Sequence, residues 1–267
     1  MFGPHDGRRV RVHPYRRMMT FLMRGRNESA VYFEQTLDLS RTLPWLAEWN
    51  ARHAARATVF HLVLHGIATV LHERERLNRF TIGHRTYQRT GVYLSFAAKT
   101  VKSEDAPLRT LKRRFDRDES FADVVARTSG EVSEARTAKT TAMDKELGIL
   151  LALPGFLLAF LLRLLRVLYA WGLAPRALID TDPLYTSAFV ANLGSIGIDA
   201  AYHHLYEHGN CPLFVTVGRV VDGRMTIRYT FDERVEDGLY CARALQILQQ
   251  QVEDPAASVT LSASASA

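Results

Sequence analysis

Cysteine is scarce. Cys211 and Cys241 are the only two among 267 residues, and they lie far apart. That excludes a disulfide framework and any cysteine-based metal spacing, and it suits a reducing compartment. Long apolar runs are missing too. Leu147 to Leu162 carries no charge, but it is shorter than the ~20 residues a spanning helix needs, and Pro154-Gly155 interrupts it. No apolar stretch precedes Met18, so no signal peptide is predicted and the cytoplasm is the expected location. No internal repeat and no Pro/Ala-rich linker divides the chain. Acidic residues are fewer than basic ones, 28 against 34, giving a formal charge of +6. Much of the excess sits in Arg8, Arg9, Arg11, Arg16, Arg17, Arg24 and Arg26. The segment has no nucleic-acid motif, so it reads as a solvated or subunit-contacting face. The phosphates of an acidic partner would also suit it.

What remains is ordinary for a globular domain. With 47% apolar and 23% charged residues a sizeable core is affordable, and one domain over Met1–Asp254 is expected. Pro255 to Ala267, rich in Ala and Ser, reads as a disordered tail. Val31, Phe33, Leu37 and Leu39 alternate with polar residues as in a half-buried strand, and Val92, Leu94 and Phe96 repeat the pattern. Phe214 to Val221 is a β run. Asp222-Gly223 is a hairpin turn, and Met225, Ile227, Tyr229 and Phe231 alternate after it. Thr58 caps a helix running to about Arg74, Glu119 to Arg136 is a polar helix, and Asp237 caps a last one that buries Cys241, Leu245, Leu248 and Val252. Helices mixed with strands and a hairpin imply an α/β layer fold with a mixed sheet.

From Phe156 onward the apolar segment becomes a Leu-rich helix. Arg163 and Arg166 fall on one side of it, and Tyr169 and Trp171 lie near its end. That pattern fits an interfacial helix at a membrane surface. It also fits a helix buried between subunits or lining a channel. The expectation is that Leu147 to Trp171 meets lipid, an acyl substrate or a neighbouring chain.

Two segments carry a family resemblance. Asp232-Glu-Arg234-Val-Glu-Asp237-Gly238 follows a strand and opens the last helix. It resembles the Asp-His-Arg-x-x-Asp-Gly signature of the 2-oxo acid dehydrogenase acyltransferases, relatives of chloramphenicol acetyltransferase. Upstream, Ala191-Asn192-Leu-Gly194-Ser-Ile-Gly197 resembles that family's Ser-Asn-Leu-Gly-x-x-Gly. Leu77-Asn78-Arg79 and paired strands near Arg89 to Lys99 agree more weakly. The resemblance spans roughly Tyr15 to Asp254. It implies a two-layer chloramphenicol acetyltransferase-like fold, a mixed sheet flanked by helices. It also implies a trimer, open to larger assembly, whose active site lies between subunits. In such a site the signature His is the base for the thiol of coenzyme A or dihydrolipoamide. The Ser donates to the tetrahedral oxyanion, and the Arg and second Asp shape the loop.

Both chemical positions depart from the pattern: Glu233 stands for the His, and Ala191 for the Ser. The residues that would shape the site, Asn192, Gly194, Asp232, Arg234, Asp237 and Gly238, are kept. A carboxylate is a poor base for a thiol unless burial raises its pKa by several units. A methyl group donates nothing. No lipoyl domain is expected ahead of the fold. A displaced base is one alternative, since His203 and His204 fall in the segment that the resemblance sets along the substrate channel. A metal pair from His204 and His208 would need that segment to be helical, and ordinary polar histidines are the third option. Three functions stay open: a trimeric scaffold or regulator without the reaction, an acyltransferase dependent on coenzyme A that uses Glu233 or a channel histidine, and a protein peripheral to the membrane.

Overall fold

The computed structural model describes residues 3–99, 108–137, 148 and 151–264. Six strands form the main sheet: β2 (Ala30–Asp38), β5 (Val92–Lys99), β6 (Leu108–Phe115), β7 (Ala188–Asn192), β8 (Leu213–Val221) and β9 (Arg224–Asp232). Their spatial order is β2-β9-β8-β7-β5-β6. The sheet is mixed, with β7 parallel to β5 and β8 and the other pairs antiparallel. A smaller antiparallel sheet joins β1 (Gly7–Arg9), β4 (Arg85–Arg89) and β3 (Arg79–Ile82) in the order β1-β4-β3. The strands near Arg89 to Lys99 therefore exist but do not pair with each other. Thr90 and Gly91 carry the chain from one sheet to the other, which corrects the sequence expectation.

One face of the main sheet holds the core. Val92, Leu94, Phe96, Val190, Val215, Val217, Met225, Ile227 and Tyr229 point the same way, as the two-residue period of strands dictates. Against them pack α3 (Val59–Glu73), α4 (Phe121–Thr137) and α7 (Gly238–Glu253). Thr58 caps α3 in a reciprocal box with His61, and the Asp237 carboxylate accepts the Tyr240 N–H at the start of α7. In α7 the buried residues are Cys241, Ala244, Leu248 and Val252, and Leu245 is only partly covered. The β8–β9 hairpin turns on Asp222 at φ 48° and Gly223 at φ 72°. Both values are positive, as the tight type I′ turn requires.

Three helices were not legible from periodicity: α1 (Pro14–Leu22), α2 (Thr42–Arg52) and α6 (Arg176–Thr181). Where a disordered tail is expected, α8 (Pro255–Ser264) continues the chain after α7. Pro255 suits a first helical turn, the Ser258 hydroxyl donates back to the Gln251 and Asp254 carbonyls, and Val259 packs toward Leu46 and Phe121.

The Leu-rich helix α5 (Gly155–Trp171) ends on Gly172 at φ 74°. Residues 147, 149 and 150 of the apolar segment lie outside the described residues. Tyr169, Leu165 and Leu168 turn inward to a second small core with Phe80, Tyr87 and Tyr185. Phe156, Phe160, Leu164, Val167 and Trp171 stay exposed, Phe156 by 78%. Among the described residues no helix is long and apolar enough to cross a membrane.

Candidate active site

The signature loop is built around a buried charge pair. Asp232 ends β9 with its side chain 1% exposed, and Arg234 beside it is 6% exposed. Arg234 Nε donates to Oδ1 at 2.8 Å and an Nη donates to Oδ2 at 2.7 Å, a bidentate fork. The Ser29 hydroxyl donates to Oδ1 at 2.9 Å. Burial pulls Arg234 down, but hydrogen bonds to Asp232 and its charge prevail and hold the guanidinium above its usual range. A second buried guanidinium, Arg26, donates to the carbonyls of Tyr206, Glu207 and Gly209. Burial lowers its pKa, opposed by the charge of Asp232.

Glu233 is half-buried at the strand end. Its backbone is pinned: its N–H donates to Ser29 O at 2.9 Å, and Arg16 donates to its carbonyl at 2.6 Å. The carboxylate makes no hydrogen bond or ion pair with a described residue. Glu236, three residues on, is buried and faces Arg16, Arg76 and Arg79. Asp237 is exposed and caps α7, and Gly238 opens that helix in open space. Ser29, Arg16 and Arg26 support the loop from distant parts of the chain. No local sequence signal marks them, apart from the surplus of arginine near the N-terminus.

The second motif sits at the end of β7. Asn192 accepts the Ser195 N–H at 3.1 Å and so caps the short 3-10 turn Leu193–Ile196. A Cβ on Gly194 would lie 2.4 Å from the Gly218 carbonyl oxygen, so only glycine fits there. Gly197 takes φ 83°. Ala191 points away from the helices and packs with Phe189, Leu205, Cys211 and Phe214. His203 joins this cluster, its ring stacked on Phe214 at 3.8 Å between centroids. Burial lowers its pKa, and the backbone bond to His204 O opposes. His204 is exposed and stacked on His203 at 4.5 Å. Residues 200–212 contain no helix, so the i, i+4 geometry required for a His204–His208 metal pair does not arise. His208 instead pairs with Asp182 at 2.8 Å.

This chain by itself does not bring the two motif positions together. Ala191 pairs with Thr216, and Thr216 with Arg228, so Ala191 lies level with Arg228 two strands away. Glu233 is five residues beyond Arg228. Strand spacings then separate Ala191 from Glu233 by about 19 Å along the sheet.

With this geometry in view, comparison with solved structures places the fold. A dihydrolipoamide acetyltransferase of Azotobacter vinelandii, studied for one serine, one histidine and one asparagine in its catalytic mechanism, superposes with a TM-score of 0.60. Identity is 17%, with 93% of each chain covered. The chain has the acyltransferase core fold. The cubic core of a pyruvate dehydrogenase multienzyme complex matches with a TM-score of 0.58 at 18% identity, covering 93% of each chain. A chloramphenicol acetyltransferase matches with 0.54 at 11% identity, covering 93% of this chain and 98% of its own. No protein-family model matches the chain, and no curated protein matches it by sequence. The fold of these acyltransferases is thus present at low sequence identity.

Proposed function

We propose that this chain is a trimer-forming protein on the acyltransferase scaffold that no longer performs the usual acyl transfer and serves as a scaffold or regulatory subunit. One observation carries the reading. The framework is kept, in the Asp232–Arg234–Ser29 knot and the Asn192-capped turn, while a half-buried Glu233 and a methyl group at Ala191 occupy the chemical positions. Loss of an oxyanion donor alone typically costs on the order of 100- to 1,000-fold, and loss of a matched base a similar factor. The separation of about 19 Å supports a site completed by a neighbouring chain, as a trimer would supply. Light scattering should give a trimer mass, and a stable monomer at micromolar concentration defeats the assembly. A larger cage is the further option, as in the cubic core of the pyruvate dehydrogenase complex.

The test of chemistry is acetyl transfer from acetyl coenzyme A to dihydrolipoamide. The chain should show only trace turnover. Glu233→His alone should recover little, and the pair with Ala191→Ser more. Turnover near the ~10 per second common to enzymes, lost in Glu233→Gln, would overturn the reading. A second reading rests on His203. Burial favours its neutral form and it shares Phe214 with Ala191, so it suits a base for the thiol of coenzyme A. Turnover that survives Glu233→Gln but vanishes in His203→Ala, with His204→Ala tested beside it, would favour that enzyme.

The outer face of α5 belongs to the same proposal. On a helical wheel, Phe156, Val167, Phe160, Trp171 and Leu164 fall within about 80° of arc, with Arg163 next beyond. An apolar stripe edged by a cation suits a lipid surface. Flotation with anionic liposomes, abolished by Phe156→Asp with Phe160→Asp, checks it. No flotation, together with loss of the trimer in the same variant, assigns the stripe to a neighbouring chain.

A further inference from the structure

A groove of about 750 Å³ opens beside the small sheet, between the N-terminal arm, α1 and the β3–β4 turn. Arg9, Arg11, Arg17 and Arg85 line it, and no acidic residue does. All four are exposed, and none forms an ion pair with a described carboxylate. The contrast with Arg16 is direct. Arg16 turns to the backbone of Glu233 and toward Glu236 and Asp237. Arg17, about 100° further round the helix, turns to the groove.

Strand register brings two of the charges side by side. Arg9 is opposite Tyr87, and the Val10 N–H donates to Thr86 O at 3.0 Å, so the pairing runs on and sets Arg11 beside Arg85. Like charges directly opposite one another across a strand pair are destabilising. Phe21 and His84, stacked at 3.9 Å, form the wall next to them. His84 is itself anchored by its Nδ1 to Thr20 O at 2.9 Å, so α1 and the turn are tied together and the cations are held at a fixed spacing. Guanidinium groups grip phosphate oxygens in a bidentate manner, and several guanidiniums on one groove demand more than one negative charge.

We propose that this groove binds a ligand carrying two or more phosphate groups, which bridge Arg11, Arg85 and Arg17. No residue of the signature loop or of the β7 turn lines the groove, and the proposal does not depend on whether acyl transfer occurs. The same chemistry is available from a soluble pyrophosphate compound or from a phosphorylated lipid headgroup, and the test separates the two. Full-length protein is titrated calorimetrically with inorganic pyrophosphate and with ADP at low salt. In parallel it is floated with phosphatidylcholine vesicles that contain or lack phosphatidylinositol bisphosphate. Binding in either arm should weaken by about tenfold or more in Arg11→Ala with Arg85→Ala, since charge-assisted bonds are lost. It should persist in Arg52→Ala, which removes an exposed arginine elsewhere. Titration in solution identifies a soluble ligand, and flotation alone identifies a headgroup. If the double variant fails to fold, Arg17→Ala carries the same expectation on one exposed side chain. No binding in either arm, or binding unchanged by these substitutions, overturns the site.

Discussion

Asp232→Asn should be the most damaging isosteric change in the molecule. The carboxylate is 1% exposed and faces two buried guanidiniums, Arg234 and Arg26. The amide keeps the shape and can still accept from Ser29, but it removes the charge paired directly with Arg234 and leaves only the weaker fields of Glu207 and Glu28 among the described residues. At about 4 Å and an effective dielectric of about 20, one such attraction is worth ~4 kcal/mol. Stranding a buried partner costs about 3–5 kcal/mol in measured cases. With a urea slope near ~3 kcal/mol/M, the unfolding midpoint should fall by about 1–1.7 M. Arg234→Met should cost less, because Asp232 keeps the Ser29 hydroxyl and the nearby charge of Arg26. The double change Asp232→Asn with Arg234→Met should fall well short of the sum of the two single costs, since the stranded cation is gone. Urea titrations of the four proteins measure this cycle. If Asp232→Asn lies within about 1 kcal/mol of wild type, or the cycle is additive, the knot is not the support described above.

Two further outcomes concern stability. Burial holds His61 and His65 near a pKa of about 4 in the fold, against 6.5 for a free side chain. The unfolded chain takes up protons first, so stability is full above pH 6.5 and falls as the pH drops toward 4, by on the order of 3 kcal/mol per histidine. Urea midpoints across that window should show His65→Leu removing a clear part of the slope, to which His72 and His203 also contribute, and an unchanged slope would contradict it. Of the two motif glycines, Gly194→Ala drives a methyl group into the Gly218 carbonyl and should cost about 2–3 kcal/mol. Gly197→Ala meets open space and bears only its positive φ, about 1 kcal/mol. Equal costs in thermal melts would mean that the Gly194–Gly218 approach relaxes freely.

The architecture was legible where periodicity and turn chemistry agree. Asp222-Gly223, the alternation from Met225 to Phe231 and the caps Thr58 and Asp237 all stand in the structure. Elements with weak patterns were not. In α1 arginines and exposed apolar residues are interleaved, and only Thr20 is buried. The tail composition also misled, because Ala and Ser are neutral to good helix formers once Val259 has an apolar surface to meet. At the site, the two motifs could be read as short words. Their supports, Ser29, Arg26 and Arg16, act across about 200 residues of chain and leave no local trace. The histidine segment shows the reverse error. Spacing suggested a ligand pair, and an irregular backbone dissolves it.

The pairing of β2 with β9 has a consequence for how the protein is made. Ala30 lies opposite Asp232, so β2 waits for a partner strand synthesised about 200 residues later. Contacts of such long range are reached late and slow a fold down. During synthesis β2 has no β9 to join, and at ~5–20 residues per second it stays unpaired for at least 10 s or so. In that interval its alternating apolar edge and the Leu-rich α5 are both open to other chains. The exposed Glu34 and Asp38 on β2 are suited to discourage such contacts, as edge charges do. Neutralising both should lower the yield of soluble protein more than it lowers the stability of what folds.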